Sequence, residues 1–152
     1  MIRNKSKIIN NVNLSELKIL SLEISSKIYK GCVITLSGPL GVGKTTLARY
    51  LIQSILGVKV EVSSPTFNII QIYEYINFDI FHMDFYRLSN YGNDEKNLEI
   101  DFFEAFNENV SIIEWPERLE KVIPKKNRID IKINYMNSSD FLRKIEILSN
   151  LN

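Results

Sequence analysis

Ser37-Gly38-Pro39-Leu40-Gly41-Val42-Gly43-Lys44-Thr45-Thr46 is the stretch on which the reading of this chain turns. Gly38, Gly43, Lys44 and Thr45 stand at the spacing of a phosphate-binding loop. Glycine tolerates backbone angles that aim successive N–H groups at one point. With the N-terminus of a following helix, those groups form a nest for an anion. Lys44, at the exposed junction of loop and helix, places an ammonium near the outer phosphates, and the Thr45 hydroxyl suits Mg²⁺.

The neighbours of the loop give it the context it needs. Cys32 to Leu36 is a short apolar run, the pattern of a strand buried on both faces. Lys44 to Leu56 reads as a helix that buries Leu47, Leu51 and Ile55 and stops at Gly57. Upstream, Leu17, Leu20, Ile24 and Ile28 predict a helix over Leu14 to Ile28, opened by a reciprocal cap between Asn13 and Glu16. Met1 to Asn13 is polar and Asn-rich, with no continuous apolar core, and does not read as a signal peptide.

Downstream, Phe67 to Ile76 and Phe78 to Tyr86 carry the β-branched and aromatic residues of strands. Asn90 to Asn97 reads as a polar loop and Leu98 to Phe106 as a short helix. Val110 to Ile113 is another buried strand, followed by a short helix from Pro116 through Val122. At the end, Ile129, Ile131, Ile133 and Tyr135 alternate with Asp130, Lys132 and Asn134, and Arg143 to Leu148 alternates more loosely. One face of this pair is wet, so the two strands form an antiparallel hairpin. The sum is an α/β chain with the P-loop NTPase fold: a mixed, mostly parallel sheet, flanking helices and a C-terminal antiparallel hairpin, all in one domain spanning 1–152.

Composition narrows the function. With 19 Lys and Arg against 18 Asp and Glu, the net charge of +1 leaves no basic footprint for gripping nucleic acid directly. One cysteine, Cys32, and one histidine, His82, exclude a disulfide framework and a Cys-based or His-rich metal centre. No run of about 18 apolar residues exists to span a bilayer, so the expected location is the cytoplasm.

A phosphate–Mg²⁺ site needs an acid near the metal and a group that orients the attacking atom. Glu114 ends an apolar strand, and ligands of open α/β sheets lie beyond the carboxyl ends of strands, so Glu114 is the candidate acid. In His82-Met83-Asp84-Phe85-Tyr86-Arg87, a strand places His82, Asp84 and Tyr86 on one face and Phe81, Met83 and Phe85 on the other. Asp84 then either holds a water or the metal shell, or belongs to a polar cluster that ties strands together. Arg87 faces either phosphate or solvent. Ser63-Ser64-Pro65-Thr66 is either a plain turn or a loop whose hydroxyls sense a γ-phosphate. Trp115 packs either against the nucleotide site or a partner, or into the core.

Taken together, Gly38 to Thr46, Ser64-Pro65-Thr66-Phe67, His82-x-Asp84-x-Tyr86-Arg87-Leu88 and Glu114-Trp115-Pro116, in this order, resemble the TsaE (YjeE) family. The resemblance implies a P-loop ATPase of tRNA threonylcarbamoyladenosine biosynthesis that binds ATP and Mg²⁺ and hydrolyses ATP slowly. It implies TsaD and TsaB as partners, which attach the threonylcarbamoyl group to the adenosine 3′ of the anticodon in tRNAs reading ANN codons. The tRNA would be reached only through that complex. Carried over by position, Gly38, Gly41, Val42, Gly43, Lys44, Thr45, Thr46 and Trp115 bind nucleotide and Thr45 and Glu114 ligate Mg²⁺. Lys44, Thr66, Asp84 and Glu114 serve hydrolysis, with Thr66 in a switch-like loop. Adenine contacts come from near Leu14 and near Arg143. A small-molecule or nucleotide kinase on the same fold is the alternative. Its usual arginine-rich lid is not evident, since Arg118, Arg128 and Arg143 are scattered. A non-catalytic, nucleotide-gated adaptor is a third reading.

Overall fold

Among the described residues, seven strands make one sheet in the order β1-β7-β6-β2-β5-β4-β3. The computed structural model describes residues 5–90 and 98–151. The strands are β1 (Lys5–Val12), β2 (Val33–Ser37), β3 (Ile70–Tyr73), β4 (Ile80–Asp84), β5 (Val110–Glu114), β6 (Arg128–Met136) and β7 (Ser139–Ser149), with helices α1 (Leu14–Ser25) and α2 (Lys44–Leu56). In the middle, β6, β2, β5 and β4 run parallel; β3, β7 and β1 add antiparallel edges. This is the expected mixed α/β architecture, with β6 and β7 as the terminal hairpin.

The central strands read as apolar runs because both faces are covered. On one face, α1 and α2 bring Leu17, Leu20, Leu47 and Leu51 against Ile34, Leu36, Ile112 and Ile131. On the other, Val33, Phe81, Met83, Phe85, Phe106 and Ile113 form a separate cluster. Hence Phe81, Met83 and Phe85 share a face, as their alternation predicts. The alternation stops at Asp84, however, and Tyr86 falls in a 3₁₀ turn over Tyr86–Asn90.

Several boundaries differ from the sequence reading, each for a local reason. The Asn13–Glu16 capping box is present, with Glu16 N–H donating to Asn13 Oδ1 at 2.9 Å and Asn13 N–H to Glu16 Oε2 at 2.8 Å. But α1 ends at Ser25, not Ile28, because the Ser25 and Ser26 hydroxyls bond back to Leu22 and Glu23 carbonyls and the chain tightens to i→i−3 bonds. The helix expected from Leu98 starts only after Asp101, whose carboxylate accepts from Glu104 N–H at 3.0 Å, and becomes a π turn over Glu104–Glu108. The helix expected from Pro116 is a single 3₁₀ turn, Pro116–Arg118, because Leu119 leaves helical angles at φ −131°. The strands expected over Phe67 to Ile76 and Phe78 to Tyr86 are confined to β3 and β4. Strand β1 is the element that sequence reading missed: an edge strand almost wholly exposed, it shows no buried alternation to read. The expected loop at 91–97 lies outside the described residues.

Candidate functional site

The loop between β2 and α2 is built against a neighbouring strand. Gly38 has φ +142°, and a Cβ there would sit 2.2 Å from the Ile133 carbonyl oxygen of β6, so no side chain fits. Gly43 caps α2 in the left-handed region at φ 118°. The N-terminus of this 13-residue helix carries no acidic residue in its first turn, so its partial positive charge is left for an anion. Val42 is buried and its carbonyl accepts from Arg143 Nε at 2.9 Å; the Leu40 carbonyl accepts from the Tyr135 hydroxyl at 3.1 Å.

Lys44 is not exposed, as its junction position suggests; it retains 5% exposure. Its ammonium folds back on the loop, donating to the Gly38 and Pro39 carbonyls at 2.6 and 2.8 Å and lying 4.2 Å from the centroid of the Trp115 ring. Burial pushes the Lys44 amine below the ordinary lysine range, against the upward pull of the Glu114, Asp84 and Glu117 carboxylates.

Strand register aligns the acids. Leu36 and Asp84 both pair with Glu114, so the last residue of β4 and the last residue of β5 emerge side by side, next to the end of β2. Glu114 is buried. Its Oε2 accepts from the Thr45 hydroxyl at 3.0 Å, and its Oε1 lies 2.9 Å from His82 Nε2. Asp84 Oδ2 accepts from the Ser64 and Thr66 hydroxyls at 2.7 and 3.1 Å, and Asp84 Oδ1 from Tyr86 N–H at 3.0 Å. The flanking of Asp84 by His and Tyr therefore resolves differently from the sequence reading. His82 serves Glu114, and Tyr86 gives Asp84 its backbone N–H while its ring packs on Trp115 at 5.0 Å. His82 Nδ1 is buried without a hydrogen-bond partner, a feature that costs about 1–3 kcal/mol. Arg87 is exposed and stacks on Phe67 at 4.1 Å.

One cavity of about 370 Å³ is lined by Gly41, Lys44, Thr45, Thr66, Asp84, Glu114 and Trp115, with neither His82 nor Arg87 on its wall. The Ser64 and Thr66 hydroxyls, Lys44 and both acids thus line the same cavity. A second cavity of about 220 Å³ lies behind the loop, reached past Gly41, Gly43 and Thr46 and walled by Asn13, Leu14, Asp140, Phe141 and Arg143. Asp140 and Phe141 carry no motif, and only the family resemblance pointed to their neighbourhood. A larger recess of about 550 Å³ lies by Arg128, Asp130 and Lys132 and contains neither the loop lysine nor either acid of the site.

The donor set suits Mg²⁺. A hydroxyl and a carboxylate, both hard oxygen ligands, touch at the end of the first cavity. Mg²⁺ takes one or two such ligands and completes its shell from phosphates and water. Among the described residues no group of three or more His, Cys, Asp or Glu can hold a metal unaided.

With this geometry in view, the similarities to known proteins are specific. A family model described as "Threonylcarbamoyl adenosine biosynthesis protein TsaE" matches residues 12–145. The tRNA threonylcarbamoyladenosine biosynthesis protein TsaE of Rickettsia typhi is 38% identical over 102 residues, 66% of this chain and 69% of that protein. The TsaE proteins of Rickettsia felis and Rickettsia conorii are matched over 63% and 60% of their lengths, so this chain spans under two thirds of each. The TsaE of Haemophilus influenzae is 34% identical over 136 residues, 86% of this chain and 79% of that one. Among solved structures, Bacillus subtilis YdiB superposes with a TM-score of 0.75 at 28% identity, covering 97% of this chain and 87% of that one.

Proposed function

The chain belongs to the TsaE family of tRNA threonylcarbamoyladenosine biosynthesis, and on that premise we propose that it is a slow, Mg²⁺-dependent ATPase that supports turnover of the TsaD–TsaB complex. The observation that carries this reading is the Thr45–Glu114 hydrogen bond of 3.0 Å at the end of the cavity that also takes in Lys44, Thr66 and Asp84. ATP lies with its phosphates over the amides of Gly41, Val42, Gly43, Lys44, Thr45 and Thr46. Its adenine occupies the second cavity, between the α1 entry and Phe141.

Hydrolysis joins a water oxygen to the γ-phosphorus and breaks the bond to the β-phosphate oxygen, giving ADP and phosphate. Lys44 exchanges its two loop carbonyls for phosphate oxygens. Thr45 and Glu114 would hold Mg²⁺, which would supply charge neutralisation on the outer phosphates. Thr66 turns its hydroxyl from Asp84 to the γ-phosphate, and Asp84 orients the attacking water. Trp115 walls off the site. All of 1–152 acts as one P-loop ATPase domain.

The near-neutral charge fits a protein that reaches tRNA only through TsaD and TsaB. None of the described helices is long and apolar enough to cross a membrane, and we place the activity in the cytoplasm. The test is phosphate release by the purified chain, alone and with TsaD–TsaB. Below about one turnover per second alone, where ordinary enzymes run at 1–1,000 per second, with a rate altered by the partners, is the expected result. Fast solo turnover indifferent to them, or transfer of labelled phosphate to a nucleoside, contradicts it.

A further inference from the structure

His82 has no part in the chemistry above, yet it sits at the centre of it. It is fully buried in β4, on the face shared with Ile80 and the helical layer. Of its two ring nitrogens only Nε2 is used, 2.9 Å from Glu114 Oε1; Nδ1 is buried with no partner. A carboxylate only accepts, so Nε2 is the donor. A histidine that merely filled the core would be replaced without loss by an apolar side chain, whereas this one keeps one nitrogen unsatisfied and aims the other at an acid.

That acid is gripped from two sides. Thr45 at the start of α2 donates to Oε2 and His82 in β4 donates to Oε1, so both carboxylate oxygens of Glu114 are fixed before any ligand arrives. Partners behind a metal-binding carboxylate set its orientation, and losing one costs about 10–100-fold in metal affinity. We propose that His82 is a positioning residue: its Nε2–H holds Glu114 turned toward Thr45, in the orientation that receives the phosphate-bound cation. The proposal rests on the assignment of Thr45 and Glu114 to Mg²⁺.

The test uses the full chain and the binding of AMP-PNP, followed by fluorescence of Trp115, the single tryptophan, in excess Mg²⁺ and in EDTA. His82→Leu is expected to bind AMP-PNP as wild type in EDTA but to lose about 10–100-fold of the gain that Mg²⁺ confers. His82→Gln, whose amide nitrogen reaches the ε position, is expected to restore that gain. His82→Asn, whose amide stops at the δ position, is not. Thermal melting accompanies each titration. Should His82→Leu fail to fold, the Gln and Asn pair still decides, since both bury an amide and differ only in its reach. A full Mg²⁺ gain in His82→Leu, or equal behaviour of folded Gln and Asn variants, overturns the positioning role alone. Wild-type chain with no Mg²⁺ gain overturns the metal assignment and the positioning role together.

Discussion

The parallel centre of the sheet and its antiparallel flank divide the work differently. At the centre, β2, β5 and β4 end side by side at the candidate site: β2 enters the phosphate loop, β5 ends in Glu114 and β4 in Asp84. At the flank, β6 and β7 supply no acid to the site. They hold the loop from behind, through the Ile133 carbonyl under Gly38, the Tyr135 hydroxyl on Leu40 and the Arg143 guanidinium on Val42. They also wall the second cavity with Asp140 and Phe141. On the proposed function, the centre acts on the phosphates and the flank holds the base attached to them.

The largest effect should come from the centre. Lys44→Ala removes the buried ammonium that lies against Trp115 and leaves Glu114 and Asp84 without their cation. Phosphate release should fall about 10²–10³-fold, the scale of deleting one charge-stabilising donor, with a circular dichroism spectrum like wild type. Retained turnover would remove Lys44 from the mechanism.

A flank substitution should act on affinity instead. Phe141 is 87% exposed at the mouth of the second cavity, so Phe141→Ala should fold normally. Loss of base stacking is worth about 1–3 kcal/mol, or roughly 5- to 150-fold in affinity. AMP-PNP binding should weaken by that factor while tripolyphosphate, which has no base, competes as before. Equal weakening of both would erase the division between flank and centre.

The smallest effect is in pH. Burial lowers the Lys44 pKa below its ordinary 10.5. Between the folded and unfolded values the unfolded chain binds the extra proton, so stability rises with pH across that window. The melting temperature of wild type minus that of Lys44→Met should climb as pH approaches 10.5 from below, by about 2–4 °C for each kcal/mol of relief. A flat or falling difference would mean that the amine is not strained by burial.

The same division explains what the sequence disclosed. Strands β2 and β5 are covered on both faces, so they appear as mostly apolar runs, broken only by the buried Thr35 and Ser111, that end where the phosphate loop begins and at Glu114. The phosphate loop is legible because its geometry demands glycine at fixed places. The flank's hairpin is legible from its alternation, but its grip on the loop is not, because Tyr135 and Arg143 meet the loop across separations of 95 and 101 residues that no local pattern encodes. Strand β1 is hidden for another reason: an exposed edge imposes no alternation. The pairing of His82 with Glu114 escapes strand periodicity because it crosses between strands, 32 residues apart. Alternation put His82 beside Asp84, and only the β4–β5 register sends it to the other acid.

The central claim is that a triphosphate and its cation lie between the end of β2 and the start of α2, faced by Glu114. A crystal structure of the chain with AMP-PNP and Mg²⁺ tests it most directly. The predicted result is Mg²⁺ at about 2.0–2.1 Å from Thr45 Oγ1, with Glu114 on the metal or on its water and Lys44 moved from the Gly38 and Pro39 carbonyls to phosphate oxygens. Nucleotide bound in the recess beside Arg128, or Glu114 turned away from the metal, would contradict it.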